Sequence, residues 1–197
     1  MSKELPLDIP KKKKKGLFIT IGIVLILIAA AGAWYWNYYN TAKAEKQYKT
    51  NMALVLLSAT TTAAKAEGMI NTYQQVWHDD IFNGGYTTSN GTYHSDRLSN
   101  FSQAIKDQHD IYDELGDNKK LAAGMISVNT TMDELKNPPS QYKDLYKEIV
   151  DLYSSLSRFV DMVNNPTGSL QSYSSDASNM DNDISKKFNS IKVQLPN

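Results

Sequence analysis

The sequence from residue 142 to residue 163 reads YKDLYKEIVDLYSSLSRFVDMV, and it carries the most regular apolar pattern in the chain. Large apolar and aromatic residues recur at steps of three and four, which places them on one face of an α-helix. The pattern is close to a strict heptad. Its members are Tyr142, Leu145, Ile149, Leu152, Leu156, Phe159 and Val163. We predict a helix here, with Ser140 as its N-cap after the Pro138-Pro139 break.

A second stripe lies on the C-terminal side of this segment. Residues 164–168 read NNPTG and predict a turn, and Ser169 is a suitable N-cap for the helix that follows. The apolar face of this helix comprises Leu170, Tyr173, Ala177, Met180, Ile184, Phe188 and Ile191. We therefore predict a helix that runs almost to the C-terminus.

Two shorter helices are predicted on the N-terminal side. Ser95 is the expected N-cap of the first, and Gly116 should close or kink it. The second should begin at Asp117 or Asn118 and end before Pro138; the two segments could also form one bent element. Their apolar positions are Leu98, Phe101, Ile105, Tyr112 and Leu115, followed by Leu121, Met125, Val128, Met132 and Leu135.

The first amphipathic segment follows residue 42 and should end near Asn83, where two glycines come next. Its stripe comprises Tyr48, Met52, Val55, Ala59, Ala63, Ala66, Met69 or Ile70, Tyr73, and Val76 or Trp77. Residues 86–91 read YTTSNG, a polar loop by composition. No alternation of period two competes with these patterns. The sequence thus predicts an all-α domain, an antiparallel up-and-down bundle of four to five helices, with the first helix extended as a mast.

A different pattern occupies the N-terminal region, because residues 16–42 contain no charged residue and five lysines precede them. A bilayer core of about 30 Å requires roughly 20 apolar helical residues. We predict a membrane-spanning helix with its aromatic interface at residues 17–39, a cytoplasmic tail at residues 1–16 and an extracytoplasmic domain at residues 40–197, since basic flanks stay inside. The predicted contacts with the lipid bilayer are Lys11, Lys12, Lys13, Lys14, Lys15, Trp34, Tyr35, Trp36, Tyr38 and Tyr39.

The same segment is compatible with a cleaved signal peptide, because residues 31–33 read AGA, an A-x-A cleavage site. The aromatic cluster after the apolar run favours a retained anchor, since Trp and Tyr collect at membrane interfaces. Both alternatives place the following domain outside the cytoplasm.

Charge and cysteine content exclude several classes of function. The formal net charge is zero, but residues 1–16 carry six lysines and two acidic residues, so the remainder carries −4. A nucleic-acid partner is therefore not expected, because polyanion binding needs clustered basic residues on the domain itself. The chain contains no cysteine, which excludes disulfides and thiolate metal sites.

Three histidines, each close to an aspartate, are the obvious candidates for chemistry. A metal site would gather His78, Asp80 and His94 around one loop, with Asp96 as an additional candidate ligand. These residues lack the spacing that puts two ligands on one helical face. The acidic residues at 113–117 do not follow a calcium-loop pattern. No nucleophile or phosphate-binding motif occurs. We expect no cofactor, no metal and no enzymatic activity.

Aromatic residues near the end of the first helix are the best candidates for recognition, because large amphipathic rings anchor many interfaces. The candidate partner-binding residues are Trp77, His78, Asp80, Phe82, Tyr86 and Tyr93. The alternative is that several of these rings cap or cover the core. A second candidate surface is the small-residue stretch ATTTAAKA at residues 59–66, which tight helix packing would equally explain.

The lysine run at residues 11–15, the single apolar span at residues 17–36 and the compact cysteine-free helical domain give the chain a characteristic layout. In this layout the chain resembles the small membrane-anchored superinfection-exclusion proteins of prophages of lactic acid bacteria and their relatives. The resemblance implies that the tethered domain contacts a phage protein or a host membrane protein and blocks passage of a second phage's DNA. It carries over no functional residue.

Two other functions remain open from the sequence. One is a host cell-envelope protein, either a structural spacer or the sensor of a larger complex, without catalytic activity. The other is an exported hydrolase, which would need a deep pocket lined by convergent polar groups.

Overall fold

The computed structural model describes residues 15–95 and 101–195, with side chains from residue 29 onward except those of residues 37 and 101. The chain divides into two compact units, Met1–Glu45 and Lys46–Asn197. The first element, α1 (Lys15–Asn83), contributes to both units.

In the first unit the described residues are helical, and the aromatic side chains at residues 34–39 are exposed. The rings of Trp34 and Tyr38, one helical turn apart, stack with centroids at 5.9 Å. Residues 1–14 of the predicted tail at residues 1–16 lie outside the described part. The side chains of residues 15–28, which include much of the predicted span, also lie outside it. Within the residues that the structure does describe, no helix combines the length and apolarity that a membrane crossing requires.

The remaining elements follow α1 in chain order. They are β1 (Gly85–Thr87), β2 (Tyr93–Ser95), α2 (Phe101–Glu114), α3 (Asp117–Glu134), α4 (Lys143–Asn164) and α5 (Leu170–Gln194), with a 3₁₀ turn at Ser140–Tyr142. Most described residues are helical, which confirms the prediction of a mainly α-helical chain.

Hydrogen bonds between helices establish the directions of α1 and α3. The Tyr48 hydroxyl of α1 donates to the carbonyl oxygen of Leu135 at 3.2 Å, just after α3 ends. Further along α1, the Lys65 ammonium donates to Asp117 at 2.7 Å, where α3 begins. Residue numbers rise along α1 as they fall along α3, so the two helices are antiparallel.

Helices α4 and α5 also pack antiparallel. The Gln194 amide donates to the carboxylate of Glu148 at 2.9 Å, and the Tyr173 hydroxyl donates to the carbonyl oxygen of Met162 at 3.0 Å. Ring contacts join α1 to the 3₁₀ turn that precedes α4 and to α5: Tyr48 stacks on Tyr142 at 5.6 Å, and Trp77 lies 5.9 Å from Tyr173. The second unit is therefore an up-and-down bundle in which α2 and α3 together form the second limb. We call the end where α1 terminates at Asn83 the hairpin end.

The predicted apolar stripes supply the core. Most of their described members are buried, and burying a large apolar side chain stabilises the fold by about 1.5–3 kcal/mol. Leu98 and the side chain of Phe101 lie outside the described part. The largest fully buried apolar side chains include Tyr73, Phe159, Met52, Ile70, Leu121, Leu135, Ile149, Leu152, Leu156 and Ile191. Leu115 is an exception, because it is half exposed in the turn that ends at Gly116, whose φ is 72°.

The predicted helix starts are confirmed at Ser169 and wrong at Ser140. The Ser169 hydroxyl accepts the N–H of Ser172 at 3.1 Å, and the Ser172 hydroxyl accepts the N–H of Ser169 at 3.0 Å, which completes a capping box. Ser140 instead opens the 3₁₀ turn, and α4 begins at Lys143 without a side-chain cap. Ser95 is the last residue of β2, and residues 96–100, where a helix capped by it would begin, lie outside the described part.

The prediction that no strand occurs is also wrong. Strands β1 and β2 form an antiparallel pair with Gly85 opposite Ser95, Tyr86 opposite His94 and Thr87 opposite Tyr93. Each strand has three residues. Three residues are too few for the alternation of apolar and polar residues that identifies a strand. The polar composition of residues 86–91 therefore predicted a loop.

Candidate functional site

Two glycines turn the chain from α1 into the hairpin formed by β1 and β2. Gly84 adopts φ 67°, the left-handed conformation that commonly ends a helix. At Gly85 an added Cβ would lie 2.5 Å from the Tyr93 hydroxyl oxygen and 2.7 Å from the His94 carbonyl oxygen. Only glycine therefore allows the two strands to approach this closely.

Thr88 closes the tip of the hairpin. Its carbonyl oxygen accepts the N–H of Gly91 at 2.8 Å, and its own N–H donates to the carbonyl oxygen of Thr92 at 2.9 Å. The side-chain oxygen of Asn90 accepts bonds from the Thr88 hydroxyl at 2.8 Å and from the Thr92 N–H at 3.0 Å. Because these bonds satisfy the polar groups of the turn locally, the tip has a defined shape.

Asp107 of α2 attaches the hairpin to the bundle. The buried Tyr86 hydroxyl donates to its Oδ2 at 2.6 Å, and Nδ1 of His94 lies 3.4 Å from the same oxygen. The Tyr86 and His94 rings stack with centroids 4.9 Å apart. The Gln103 amide donates to the other carboxylate oxygen at 2.5 Å. One carboxylate therefore receives bonds from both the hairpin and its own helix.

Gln108, the next residue on α2, holds the tip. Its side chain is completely buried. Its Oε1 accepts the N–H of Ser89 at 2.8 Å, and its Nε2 donates to the Ser89 hydroxyl at 2.7 Å. A buried amide is costly unless both of its polar atoms are bonded, and here Ser89 satisfies both. Asp107 and Gln108 thus fix the hairpin at two separate points.

A tyrosine–histidine pair continues the polar contacts from the hairpin end into the core. The Tyr73 hydroxyl lies 2.7 Å from Nδ1 of His109, and the Tyr112 hydroxyl donates to the carbonyl oxygen of Met69 at 3.1 Å. Burial raises the pKa of Tyr73 and of Tyr112. Tyr73 therefore stays protonated, and its hydroxyl can donate a hydrogen bond to Nδ1 of His109 in the tautomer that leaves this nitrogen unprotonated.

Of the six predicted partner-binding residues, three are buried. Trp77 packs against Tyr173, and Asp80 is buried near the end of α1. The Tyr86 side chain, on the inner face of the hairpin, packs on Val76 and Ala104. For Trp77 and Tyr86 the structure therefore matches the alternative in which these rings complete the packing.

The other three predicted residues are on the surface. Phe82 is 67% exposed and Tyr93 is 64% exposed, and the His78 ring contacts Phe82 with centroids 4.8 Å apart. Phe82 lies in the last turn of α1, and Tyr93 is the first residue of β2. We call Phe82, His78 and Tyr93 the exposed aromatic set.

A cleft of about 550 Å³ opens at the same end of the bundle. Its apolar lining includes Trp77, Ile105 and Leu170, and its rim includes residues 166–169 of the α4–α5 turn. Pockets of this size and apolarity are typical of sites that receive a side chain or small ligand. The buried Trp77 thus contributes to a concave surface although it is not itself a protruding anchor.

Sequence reasoning missed Asp107 and Gln108, the residues that position the hairpin. Gln108 occupies the stripe position between Ile105 and Tyr112, three residues after one and four before the other. A polar residue at an apolar position is a recognisable signal of a buried hydrogen-bond partner. Asp107 carries no comparable signal, because a charged residue beside the stripe is ordinary on an amphipathic helix.

No group of three or more His, Cys, Asp or Glu side chains among the described residues is arranged to hold a metal ion, and Asp96 lies outside the described part. A serine–lysine contact occurs where Lys187 donates to Ser155 at 2.6 Å. Lys187 also donates to Asp183, and that bond lowers the pKa of the carboxyl. Ser155, Asp183 and Lys187 thus form one hydrogen-bonded cluster between α4 and α5.

Comparison of the chain with protein-family models, with curated proteins and with solved structures gives no match.

Proposed function

We propose that the protein is a membrane-anchored extracytoplasmic binding module whose hairpin end recognises a protein partner. The observation that carries this proposal is the exposed aromatic set at the hairpin end, where His78 and Phe82 project from α1 and Tyr93 projects from the hairpin. Asp107 and Gln108 hold that hairpin in place. Exposed aromatic rings on a rigid support bind with little loss of conformational entropy, which is why such rings are common anchors of interfaces. The neighbouring cleft would receive a side chain of the partner.

The anchoring part of the proposal rests on the sequence. Residues 17–33 read LFITIGIVLILIAAAGA, without a charged residue, and only Gly16 separates them from five lysines. The five exposed aromatic side chains at residues 34–39 suit the headgroup layer of a bilayer. This layout leaves the bundle on the outer side of the membrane.

In its most concrete form, the protein is a superinfection-exclusion protein that blocks passage of a second phage's DNA into the cell. The support is the layout that the chain shares with such proteins, together with a rigid surface suited to protein recognition. A module that acts by binding an incoming phage protein or a host membrane channel needs no catalytic groups.

The deciding experiment expresses the full chain in a phage-sensitive Gram-positive host and measures phage adsorption and DNA uptake separately. We expect normal adsorption with blocked DNA uptake. Unchanged DNA uptake across several phages would contradict exclusion and would favour a structural or sensor role in the host envelope.

The placement outside the cell is tested independently by treating intact cells with protease. We expect the protease to digest the bundle on intact cells. Protection of the C-terminal part on intact cells, with digestion after lysis, would contradict the proposed topology.

The contribution of the hairpin end is tested with the double substitution Phe82→Ser and Tyr93→Ser. Both side chains are mostly exposed, so we expect loss of exclusion with unchanged helix content and melting temperature. The matched control is Val193→Ser, an 83% exposed apolar residue on α5 far from the hairpin end, which should retain activity. Full activity in the double variant would exclude these two rings as the binding surface.

A further inference from the structure

Two charge-free helical segments lie on the side of the bundle formed by α1 and α3. Residues 50–64 of α1 read TNMALVLLSATTTAA, and residues 121–132 of α3 read LAAGMISVNTTM. Surface helices ordinarily present charged residues to water on their outer face. The absence of charge from both segments is therefore unusual for a solvent-facing surface.

The two segments pack side by side. The hydroxyls of Ser58 and Ser127 lie 3.3 Å apart across the helix pair. One turn further along α1, Gly124 approaches Thr62 so closely that an added Cβ would lie 2.6 Å from the threonine hydroxyl oxygen. The two charge-free segments thus form a single surface.

Large apolar side chains project from this surface. Leu57 is 65% exposed, Ile126 is 64% exposed and Leu54 is 46% exposed. Leu57 and Ile126 directly precede the two serines that meet across the seam. We define the outer patch by its exposed residues Leu54, Leu57, Thr61, Ala123, Ile126 and Thr130. Single exposed leucines are common, but a contiguous apolar patch marks an interaction surface.

We propose that the outer patch pairs with the same patch of a second copy of this chain. A surface without charge is complementary to itself, as a two-fold interface requires. The charges at its border also favour this partner. Lys46 and Glu134 are both exposed at the end opposite the hairpin, since Tyr48 bonds to Leu135 there. A two-fold axis parallel to the helices lays α1 over α3 of the second copy, and brings each Lys46 towards Glu134 of the other chain.

The size of the patch indicates how strong the pairing is. Two neighbouring helices over about four turns present a face of roughly 20 Å by 20 Å. That is about half of the ~800 Å² per partner found in stable complexes. We therefore expect weak pairing in solution and stronger pairing when both chains share one membrane, because tethering raises the effective concentration. Only the parallel orientation and this enhancement rest on the proposed anchoring.

Disulfide cross-linking tests the pairing directly, because the natural chain has no cysteine. Full-length chains with Leu57→Cys and with Ile126→Cys, carrying different tags, are expressed together and their membranes are mildly oxidised. We expect a mixed cross-linked dimer in several-fold higher yield than from two differently tagged Val193→Cys chains. Adding Leu54→Lys to both partners should reduce the yield several-fold, since it places charges in the interface between the two copies.

Equal yields from the patch cysteines and from Val193→Cys would overturn the proposal, because they would report only random collisions. A cross-link to a different protein, in place of the second copy, would also overturn it. Circular dichroism of each variant confirms that the helices are intact. Neither result depends on phage sensitivity, so failure of the pairing and failure of the exclusion function remain distinguishable.

Discussion

Tyr86 and His94 lie opposite each other in the hairpin with their rings 7° from parallel, and both meet the same carboxylate oxygen of Asp107. The hydrogen bond from Tyr86 to Asp107 joins residues that are 21 positions apart in the chain. The hairpin is therefore held by the helix that follows it, and a two-stranded ribbon of this length would be at best marginally stable alone.

Asp107→Ala should release the hairpin while leaving the helices folded. The buried Tyr86 hydroxyl would lose its acceptor, at a cost of about 1–3 kcal/mol. We expect faster hydrogen exchange at the amides of Thr88, Gly91 and Thr92. The control is Asp110→Ala on the exposed side of α2, which should leave these amides protected. Equal exchange rates in both variants would show that Asp107 does not hold the hairpin.

Gly124→Ala and Gly68→Ala form a matched pair inside helices. Alanine at an unobstructed helix position should stabilise the fold by about 0.5–1 kcal/mol. Nothing lies within 4 Å of an added Cβ at Gly68, whereas at Gly124 it would meet Thr62, whose hydroxyl is bonded to the Ser58 carbonyl oxygen. We expect a higher melting temperature for Gly68→Ala and a lower one for Gly124→Ala. If both variants gained stability, the close contact between α1 and α3 would be disproved.

Leu152→Ala tests the packing of α4. Leu152 is buried against the core, and truncation should cost about 2–5 kcal/mol through the lost burial and the cavity left behind. Chemical denaturation measures the change in unfolding free energy. The exposed control Val193→Ala should change it by less than about 0.5 kcal/mol. A similarly small change for Leu152→Ala would mean that α4 does not pack as described.

Stability should fall in acid through Asp117. Hydrogen bonds from Lys65 and Lys120 lower the pKa of its carboxyl below the unfolded value near 3.8. A lowered folded-state pKa contributes stability that is present above the unfolded pKa and is lost as the pH falls through the folded one. Asp117→Asn should therefore lower the melting temperature at pH 7 and flatten its decline below about pH 4.

Asp144→Asn is the control for this acid effect. The Asp144–Lys147 pair is fully exposed to solvent, and screening makes such pairs contribute little. Its melting curve should follow that of the natural chain across the same pH range. If the melting temperatures of Asp117→Asn and of the natural chain fell equally as the pH was lowered, a stabilising role for Asp117 would be contradicted.

Stability should also fall in alkali through Tyr48. Burial raises the pKa of its hydroxyl to about 12, with a smaller contribution from Tyr146. The unfolded chain ionises near the ordinary value of 10.0, so this contribution is present below pH 10 and is lost as the pH rises towards 12. In Tyr48→Phe the decline of the melting temperature between these pH values should be smaller. An unchanged decline would exclude Tyr48 as its source.

The helices and their buried faces were predictable because their signals are local. A stripe of period 3.6, such as that from Tyr142 to Val163, identifies both the helix and the face that packs inward. Boundaries marked by glycine or proline, at Asn83, Gly116 and residues 164–168, were also predictable. The residues at which helices start were less predictable. Ser169 caps α5 as expected, whereas the Tyr142 N–H donates to the carbonyl oxygen of Pro139 and makes the turn at Ser140 a 3₁₀ turn.

By itself, the sequence determined the mainly helical chain, the order of its helices and the residues that form its core, because each depends on spacing within one segment. Only the tertiary structure decided that residues 85–95 form a hairpin, that Trp77 and Tyr86 are buried while Phe82 and Tyr93 are exposed, and that Leu57 and Ile126 share one surface. These features depend on contacts between segments distant in sequence, and periodicity within one helix cannot report which neighbour covers a side chain.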